Sequence, residues 1–196
     1  MKGFGKMQFK TLQSLCLLAV VFFVACSGMK PTVFVNKQYN FNFLEKVAVV
    51  PFENLSNDQG AGARITHIFL TELLAAESFD IAEPGEVSKV TQKYIGSGGS
   101  ALTRDQITEI GKTLGVQGII LGSVNETSGS RAGGSATTEV TIDARMVETE
   151  TGQTVWSATN TEGGRSFWAS LFGTGDRSEA ETARKCVQRV IHTLVK

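Results

Sequence analysis

The chain contains few of the residues from which metal sites are usually built. Its 196 residues include three cysteines and two histidines. His67 and His192 stand far apart, and no closely spaced pair of cysteines accompanies them. Structural zinc sites need such closely spaced ligands, so we expect no metal site.

An excess of positive charge is also missing. Lys+Arg 19 balances Asp+Glu 19 in the full chain. Loss of the first 25 residues removes three lysines and no acid, which leaves 19 − 3 = 16 basic against 19 acidic residues. Proteins that bind nucleic acids generally carry a basic surface, so this balance argues against a nucleic-acid partner.

The apolar run near the amino terminus, Leu15–Val24, is short. A helix that crosses a bilayer needs ~20 apolar residues, so a permanent transmembrane anchor is disfavoured. Lys2, Lys6 and Lys10 precede the run without any acidic residue among them. This is the pattern of an export signal, and it predicts that residues 1–25 are removed.

The run ends in Phe23-Val24-Ala25-Cys26-Ser27, which resembles the lipobox of bacterial lipoproteins. The resemblance implies that the Cys26 sulfur carries a diacylglyceryl group, with palmitate among its acyl chains, and that Cys26 becomes the first residue. Ordinary secretory cleavage after Gly28 and an uncleaved anchor remain the alternatives. Ser27, rather than aspartate, after the cysteine predicts sorting to the outer membrane, facing the periplasm.

The remaining cysteines leave no room for an internal disulfide. Cys16 departs with the signal and Cys26 is acylated, so Cys186 stands alone even in an oxidising compartment. We expect Cys186 to be a small, partly buried residue of the last helix, without a reactive thiol.

Three segments follow from this reading: a signal peptide over 1–25, a lipidated tether over 26–45 and one folded domain over 46–196. The chain left after cleavage is long enough for a single domain with a proper core. Within the tether, Tyr39, Phe41 and Phe43 alternate with polar residues, which predicts a short edge strand. The alternative is that these aromatic residues touch a membrane.

The first half of the domain reads as strands and helices in alternation. The unbroken apolar run Val47–Val50 predicts a strand covered on both faces, and the polar loop 53–59 follows it. Apolar residues at helical spacing then predict a helix from about Gly60 onwards; they are Ile65, Ile68, Phe69, Leu73 and Leu74. A nucleotide-binding loop at Gly60-Ala61-Gly62 is disfavoured, because the third glycine and the Gly-Lys-Ser/Thr of phosphate-binding loops are missing.

Further signals complete the fold. Thr103 and Gln106 form a capping box for a helix that Gly115 closes. A second buried strand is predicted over 116–124, then a polar stretch over 128–135, and then a hairpin of two strands that ends at Thr161, with Trp156 packed on it. A last helix begins near Ser178. The sequence therefore predicts an α/β domain of three layers, with helices on a mixed sheet that contains a carboxyl-terminal antiparallel hairpin.

An aromatic segment between glycines is the candidate partner or membrane contact. Its apolar residues pair at a spacing of four, as on one or two turns of helix; they are Phe167, Trp168, Leu171 and Phe172. An aromatic patch on a surface segment often marks such a contact. Ordinary burial in the core is the alternative.

Catalytic residues are not predicted. Ser123 and Ser157 lack the G-x-S-x-G elbow, and neither histidine has the context of a triad. Glu148 and Glu150 flank a turn and are expected to be solvated. We therefore expect no enzyme and no cofactor.

Four stretches resemble the curli secretion lipoproteins (CsgG-like) and the related LpoB-like activators of penicillin-binding proteins. They are Lys46–Asn54 (KVAVVPFEN), Ile110–Val116 (IGKTLGV), Ile119–Val124 (IILGSV) and Glu150–Ser157 (ETGQTVWS). The resemblance implies a three-layer α/β domain held in the periplasm by a lipid.

The curli likeness would place two transmembrane hairpins at 128–135 and 164–175. A hairpin needs two strands of ~10 residues with alternating apolar side chains, which neither place offers. The leading hypothesis is thus a binding or assembly component of an envelope complex, with an envelope protein as partner and a homo-oligomer left open. A curli-type channel subunit and an LpoB-like activator of a peptidoglycan synthase are the alternatives.

Overall fold

Seven strands and four helices make up the described part of the chain. The computed structural model describes residues 30–94, 102–130, 136–164 and 177–195. The strands are β1 (Thr32–Val35), β2 (Lys46–Val49), β3 (Glu53–Asn54), β4 (Asp80–Ile81), β5 (Gly118–Ser130), β6 (Ala136–Glu148) and β7 (Thr154–Gly163). The helices are α1 (Ala61–Ala75), α2 (Pro84–Thr91), α3 (Arg104–Leu114) and α4 (Glu179–Leu194), with a 3-10 turn at Phe41–Phe43.

The described strands form one mixed sheet in the order β1-β7-β6-β5-β2-β4. Strand β3 pairs with β5 at Ser123 and Val124, beyond the residues of β5 that pair with β2. Strand β2 pairs in parallel with β4 and β5, whereas β5, β6, β7 and β1 pair antiparallel in succession. One apolar cluster joins the sheet to α1 and α4, and a second joins it to α2 and α3. The predicted α/β class, with helices on a mixed sheet, is confirmed.

The packing of helices on both faces of β2 explains why no polar residue interrupts its apolar run. Val47 and Val49 belong to the cluster with α1 and α4, while Ala48 and Val50 belong to the cluster with α2 and α3. Successive side chains of a strand point to opposite faces, so both faces must be apolar where helices cover both.

The antiparallel half of the sheet is covered by helices on one face. Val140, Ile142 and Ala144 of β6 are fully buried, while Asp143 and Arg145 are exposed. Trp156 of β7 is 1% exposed, and its indole nitrogen donates to Thr193 Oγ1 of α4 at 3.1 Å. The predicted alternation and the packing of Trp156 are both confirmed.

Helix α3 has the predicted ends. The Thr103 hydroxyl accepts from the Gln106 backbone N–H, and the Gln106 side chain accepts from the Thr103 N–H in return. Gly115 closes the helix with a φ of 61°, in the left-handed region that favours glycine.

The edge strand lies earlier than predicted. Residues 32–35 form β1, paired with β7, and the aromatic residues Phe41–Phe43 form a 3-10 turn instead of a strand. The cause is local: the Asn36 and Asn40 side chains accept backbone N–H groups two residues further on, which bends the chain. The sheet therefore begins inside the segment that the sequence assigned to the tether.

Three smaller expectations are corrected. The polar loop 53–59 contains β3, and β5 continues past its predicted end to Ser130, because β6 offers it a partner over its whole length. Leu74 lies on the outer side of α1, 57% exposed. Within the described ranges, no helix has the length and apolar character needed to cross a membrane.

Candidate functional site

The residues that the sequence singled out lie outside the described residues. Cys26 falls in 1–29, and Phe167, Trp168, Leu171 and Phe172 fall in 165–176. Their roles as lipid carrier and as partner contact stay predictions. The structure does describe Gly164 and Arg177, the residues on either side of the 165–176 segment.

The residues on either side of the 165–176 segment, Gly164 and Arg177, are hydrogen-bonded to each other. The Gly164 N–H donates to the Thr138 carbonyl at 2.7 Å, and the Arg177 N–H donates to the Gly164 carbonyl at 2.9 Å. Gly164 directly follows β7, and Arg177 leads into α4. The residues on either side of the 165–176 segment are therefore neighbours, and we call the charged surface around Gly164 and Arg177 the loop base.

A basic cluster lies on the β7 side of this base. We use this name for Arg177, Lys185 and Arg189, which converge on the buried carboxylate of Glu162. The nitrogen–oxygen distances are 4.0 Å from Arg177 and 3.8 Å from Lys185, and Arg189 makes the closest contact. Three positive charges face one negative charge, so the cluster has a formal excess of 3 − 1 = +2.

An acidic cluster lies on the β5 side. We use this name for Asp58, Glu126 and Glu179, which surround Arg64 of α1. The Arg64 Nη2 atom is 2.7 Å from Asp58 and 2.7 Å from Glu179, and it also donates to Glu126. One positive charge faces three negative charges, so the formal excess is 1 − 3 = −2.

The pKa values within the acidic cluster reflect its geometry. The Gly60 N–H and then the Arg64 guanidinium lower the pKa of Asp58, and the hydrogen bond to Asp58 helps to raise the pKa of Arg64. Burial raises the pKa of Glu126 even though Arg64 opposes the change. One Glu126 oxygen is buried without a hydrogen-bond partner among the described residues. Arg64 therefore holds the three carboxylates together, while the burial of Glu126 opposes its negative charge.

The two clusters lie side by side across the sheet. Glu126 of β5 pairs with Val140 of β6, and Val140 pairs with Glu162 of β7. Two strand spacings separate the glutamates, about 10 Å. Helix α4 contributes Glu179 to one cluster and Lys185 to the other, so it bridges a surface that is negative on one side and positive on the other.

These residues escaped the sequence reasoning. Asp58, Glu126 and Glu179 offer oxygen atoms within 4.8 Å of one another, a geometry in which carboxylates can hold a cation. Arg64 fills that place as the cation. Since the first and last members lie 179 − 58 = 121 positions apart in sequence, only the pairing register and the docking of α1 and α4 bring them together.

The neighbouring thiol has no catalytic character. Cys186 is fully buried; its sulfur accepts from the Asn160 amide, and its S–H group is shared between the Val140 and Asn160 carbonyls. Burial raises its pKa to about 12. A thiol that stays protonated is a poor nucleophile, which agrees with the expected structural role of Cys186.

A separate groove of about 740 Å³ lies between the 3-10 turn, α3 and the β6–β7 turn. Phe43 at its rim is 70% exposed. Burial, then the charges of Glu148 and Glu150, raise the pKa of Tyr39 in its wall.

Glu148 is buried, so the expectation of a solvated side chain is wrong for it. It accepts from the Glu150 and Thr151 N–H groups at 2.7 and 2.8 Å and from the Thr151 hydroxyl. Burial acts to raise its pKa, but these hydrogen bonds and the charge of Arg104 lower it overall. Its role is to hold the turn together. Glu150 is exposed, as expected.

Solved structures show that the fold occurs in other bacterial proteins. The PelC dodecamer structure from Paraburkholderia phytofirmans has 17% identity and a TM-score of 0.55, covering 83% of this chain and 96% of that chain. Lipoprotein GNA1162 from Neisseria meningitidis has 16% identity and a TM-score of 0.55, covering 76% and 97%. The LpoB C-terminal domain from Escherichia coli has 17% identity and a TM-score of 0.44, covering 60% and 81%. At these identities the likeness to PelC and GNA1162 shows the fold alone.

Sequence comparison is more specific. No curated protein sequence matches the chain. The family model of the peptidoglycan-synthase activator LpoB matches residues 26–161, more than half of the 196 residues. This supports the LpoB part of the resemblance, while the curli part receives no support. The chain belongs to the family of the peptidoglycan-synthase activator LpoB.

Proposed function

We propose that this protein is a lipid-anchored activator that binds a peptidoglycan synthase in the bacterial envelope and performs no catalysis itself. The observation that carries the proposal is the family match over residues 26–161.

The proposed anchor is a lipid on Cys26, with the domain on the periplasmic side of the outer membrane. The matched range includes Cys26, and the preceding segment has the features of an export signal. Intact-mass measurement of the membrane fraction tests the anchor. A mature chain that starts at Cys26 and carries a diacylglyceryl group and a further acyl chain is expected, and a lipid-free chain that starts elsewhere would contradict it.

The proposed binding surface is the loop base, around Gly164 and Arg177, together with the aromatic residues of the 165–176 segment. The basic and acidic clusters give this surface charges of both signs, and charge complementarity fixes the orientation of a partner and speeds its association. The aromatic residues of the loop would supply the apolar anchors on which binding energy usually concentrates. The surface therefore offers both components of a protein interface.

Binding and activation can be measured with the purified acylated protein and the peptidoglycan synthase of the same organism. We expect a complex and a higher rate of glycan polymerisation when the protein is added. The double variant Arg177→Gln/Lys185→Gln removes two positive charges without placing a like charge beside buried Glu162, and it should weaken the complex and reduce the activation while urea unfolding shows that the domain remains folded. The matched control Lys89→Gln/Lys112→Gln removes two exposed charges elsewhere on the domain and should change neither. A folded, acylated protein that neither binds nor activates the synthase would refute the proposal.

The aromatic segment has its own test. Trp168→Ser/Phe172→Ser is expected to leave the free energy of unfolding unchanged and to abolish the complex. Loss of folding in this variant would assign these side chains to the core instead.

A homo-oligomer is a second proposal. The PelC structure with the same fold is a dodecamer, which is a statement about PelC. Sedimentation of the acylated protein in detergent decides the point for this chain, since a strictly monomeric species would exclude it.

A further inference from the structure

Strand β1 is an apolar edge that the described part of the protein leaves open. Val33, Phe34 and Val35 are 41%, 53% and 41% exposed. Natural proteins usually protect an edge strand with charges, proline or a covering element. Strand β1 contains neither a charged residue nor a proline, although Pro31 directly precedes it. Three consecutive exposed apolar residues at such an edge indicate that another surface binds there.

The backbone of β1 shows which groups face outward. The Asn36 N–H donates to the Val155 carbonyl at 2.8 Å, so the backbone groups of Asn36 and Phe34 point towards β7. Those of Val33 and Val35 consequently point away from the sheet. Within the described ranges no strand pairs with them. Water and lipid headgroups can satisfy these backbone groups, whereas hydrocarbon cannot.

The distance from the proposed anchor is short. Thr32, the first residue of β1, follows Cys26 by six residues. Even a fully extended chain of six residues spans only about 20 Å. A lipid on Cys26 would thus hold β1 close to the surface of the membrane that carries it. This step rests on the acylation of Cys26 proposed above.

The charges around β1 match an anionic lipid surface. Lys30 precedes the strand and Lys37 follows it, and both are exposed. No aspartate or glutamate occurs from Cys26 to Leu44. Lysine side chains lay their aliphatic stems on apolar surface while the ammonium groups reach the headgroups, and anionic lipids attract such segments. The segment is apolar in its centre and positive at both ends.

We propose that β1, with Lys30 and Lys37, is a membrane-contact surface: once Cys26 is acylated, Val33, Phe34 and Val35 rest on the headgroup region of the same leaflet. The contact is interfacial, because the outward backbone groups of Val33 and Val35 need polar partners. It orients the domain on the bilayer, with the β1 edge towards the lipid.

The cysteine content of the chain allows a direct test. The acylated full-length protein is reconstituted in vesicles of phosphatidylethanolamine and phosphatidylglycerol. Val33→Cys is labelled with an environment-sensitive fluorophore, since Cys186 is buried with a raised pKa and Cys26 is blocked by the lipid. Leu55→Cys and Leu74→Cys are matched controls, because their side chains are 58% and 57% exposed elsewhere on the domain.

The proposal predicts that lipids with a quencher near the headgroup reduce the emission of the label at residue 33 and leave both controls unchanged. Adding Phe34→Ser/Val35→Thr to the labelled protein should restore the emission at residue 33. If the lipid quencher reduces the emission of all three labels by the same fraction, in protein with a confirmed lipid, the membrane contact alone is overturned. Protein whose mass shows no lipid would overturn the contact together with the anchor.

A second copy of the chain is the competing occupant. If the label is shielded from lipid quencher and aqueous quencher alike, and Phe34→Ser/Val35→Thr converts a dimer into a monomer, the edge pairs with another β1. That result would replace the membrane contact.

Discussion

The glycine at the start of α1 offers a sharp test of how the helix packs on the sheet. Gly62 lies in the stretch Gly60-Ala61-Gly62, which superficially resembles a phosphate-binding loop. In the structure a Cβ on Gly62 would lie 2.7 Å from the Phe52 carbonyl oxygen and 3.1 Å from Asn54 Cβ. Glycine is therefore required because the backbone that follows β2 passes directly over the helix.

The same contact carries a hydrogen-bond relay. The Phe52 N–H donates to the Thr66 hydroxyl at 2.9 Å, and that hydroxyl donates to the Gly62 carbonyl at 2.7 Å. A methyl group on residue 62 would push against the Phe52 carbonyl oxygen. Phe52 lies between β2 and β3 in the chain, and both strands are held in the sheet, so its backbone has little room to move. The relay must then lengthen as the two elements separate.

We expect Gly62→Ala to lower the free energy of unfolding. Overpacking costs about 1–3 kcal/mol, and weakening one hydrogen bond adds about 1 kcal/mol. The better helix propensity of alanine returns about 1 kcal/mol. The net expectation is a loss of about 1–3 kcal/mol, measured as a lower midpoint of urea unfolding at unchanged slope.

Gly85 of α2 is the matched control. It is also a glycine in the first turn of a helix, but a Cβ there would meet nothing within 4 Å. Gly85→Ala should therefore raise the free energy of unfolding, by up to about 1 kcal/mol. If Gly62→Ala proves as stable as the wild type, or if both variants shift in the same direction, the close approach of α1 to Phe52 is refuted.

Three further predictions concern the loop base and the helix caps. Glu162→Gln should lower the free energy of unfolding by about 1–2 kcal/mol, because three partly exposed cations lose their buried counter-charge, whereas exposed Glu181→Gln should have little effect; urea unfolding of both checks this, and equal stability would contradict it. Burial raises the pKa of Cys186 from 9.0 to about 12, so its stabilising contribution is complete below pH 9 and is lost as pH rises towards 12; unfolding measured across that window should show the decline, and Cys186→Ala should flatten it. Thr103→Ala should cost about 1 kcal/mol by removing the cap of α3, and Thr113→Ala, at the exposed end of the same helix, should cost less; a reversed order in thermal unfolding would count against the capping box.

The sequence alone determined the elements whose stability is decided locally. Helix α3 is an example, because its capping box and its closing glycine are fixed by residues within a few positions of one another. The run Val47–Val50 and the alternation along β6 likewise state directly which faces are covered. The lipobox resemblance is also a local feature, and it is the basis of the proposed anchor.

Only the tertiary structure decided the strand at the edge and the charged surface. Residues 32–35 carry no alternation, and they form β1 because β7 offers a free edge, while the asparagines behind them turn the chain away. Glu126 and Glu162 look like ordinary surface residues in sequence. They are buried because the strand register sets both on the face covered by α1 and α4, where Arg64 and Arg189 reach them. Periodicity reports the faces of one element, whereas burial of a charge depends on which element docks against it, and that information is spread over the whole chain.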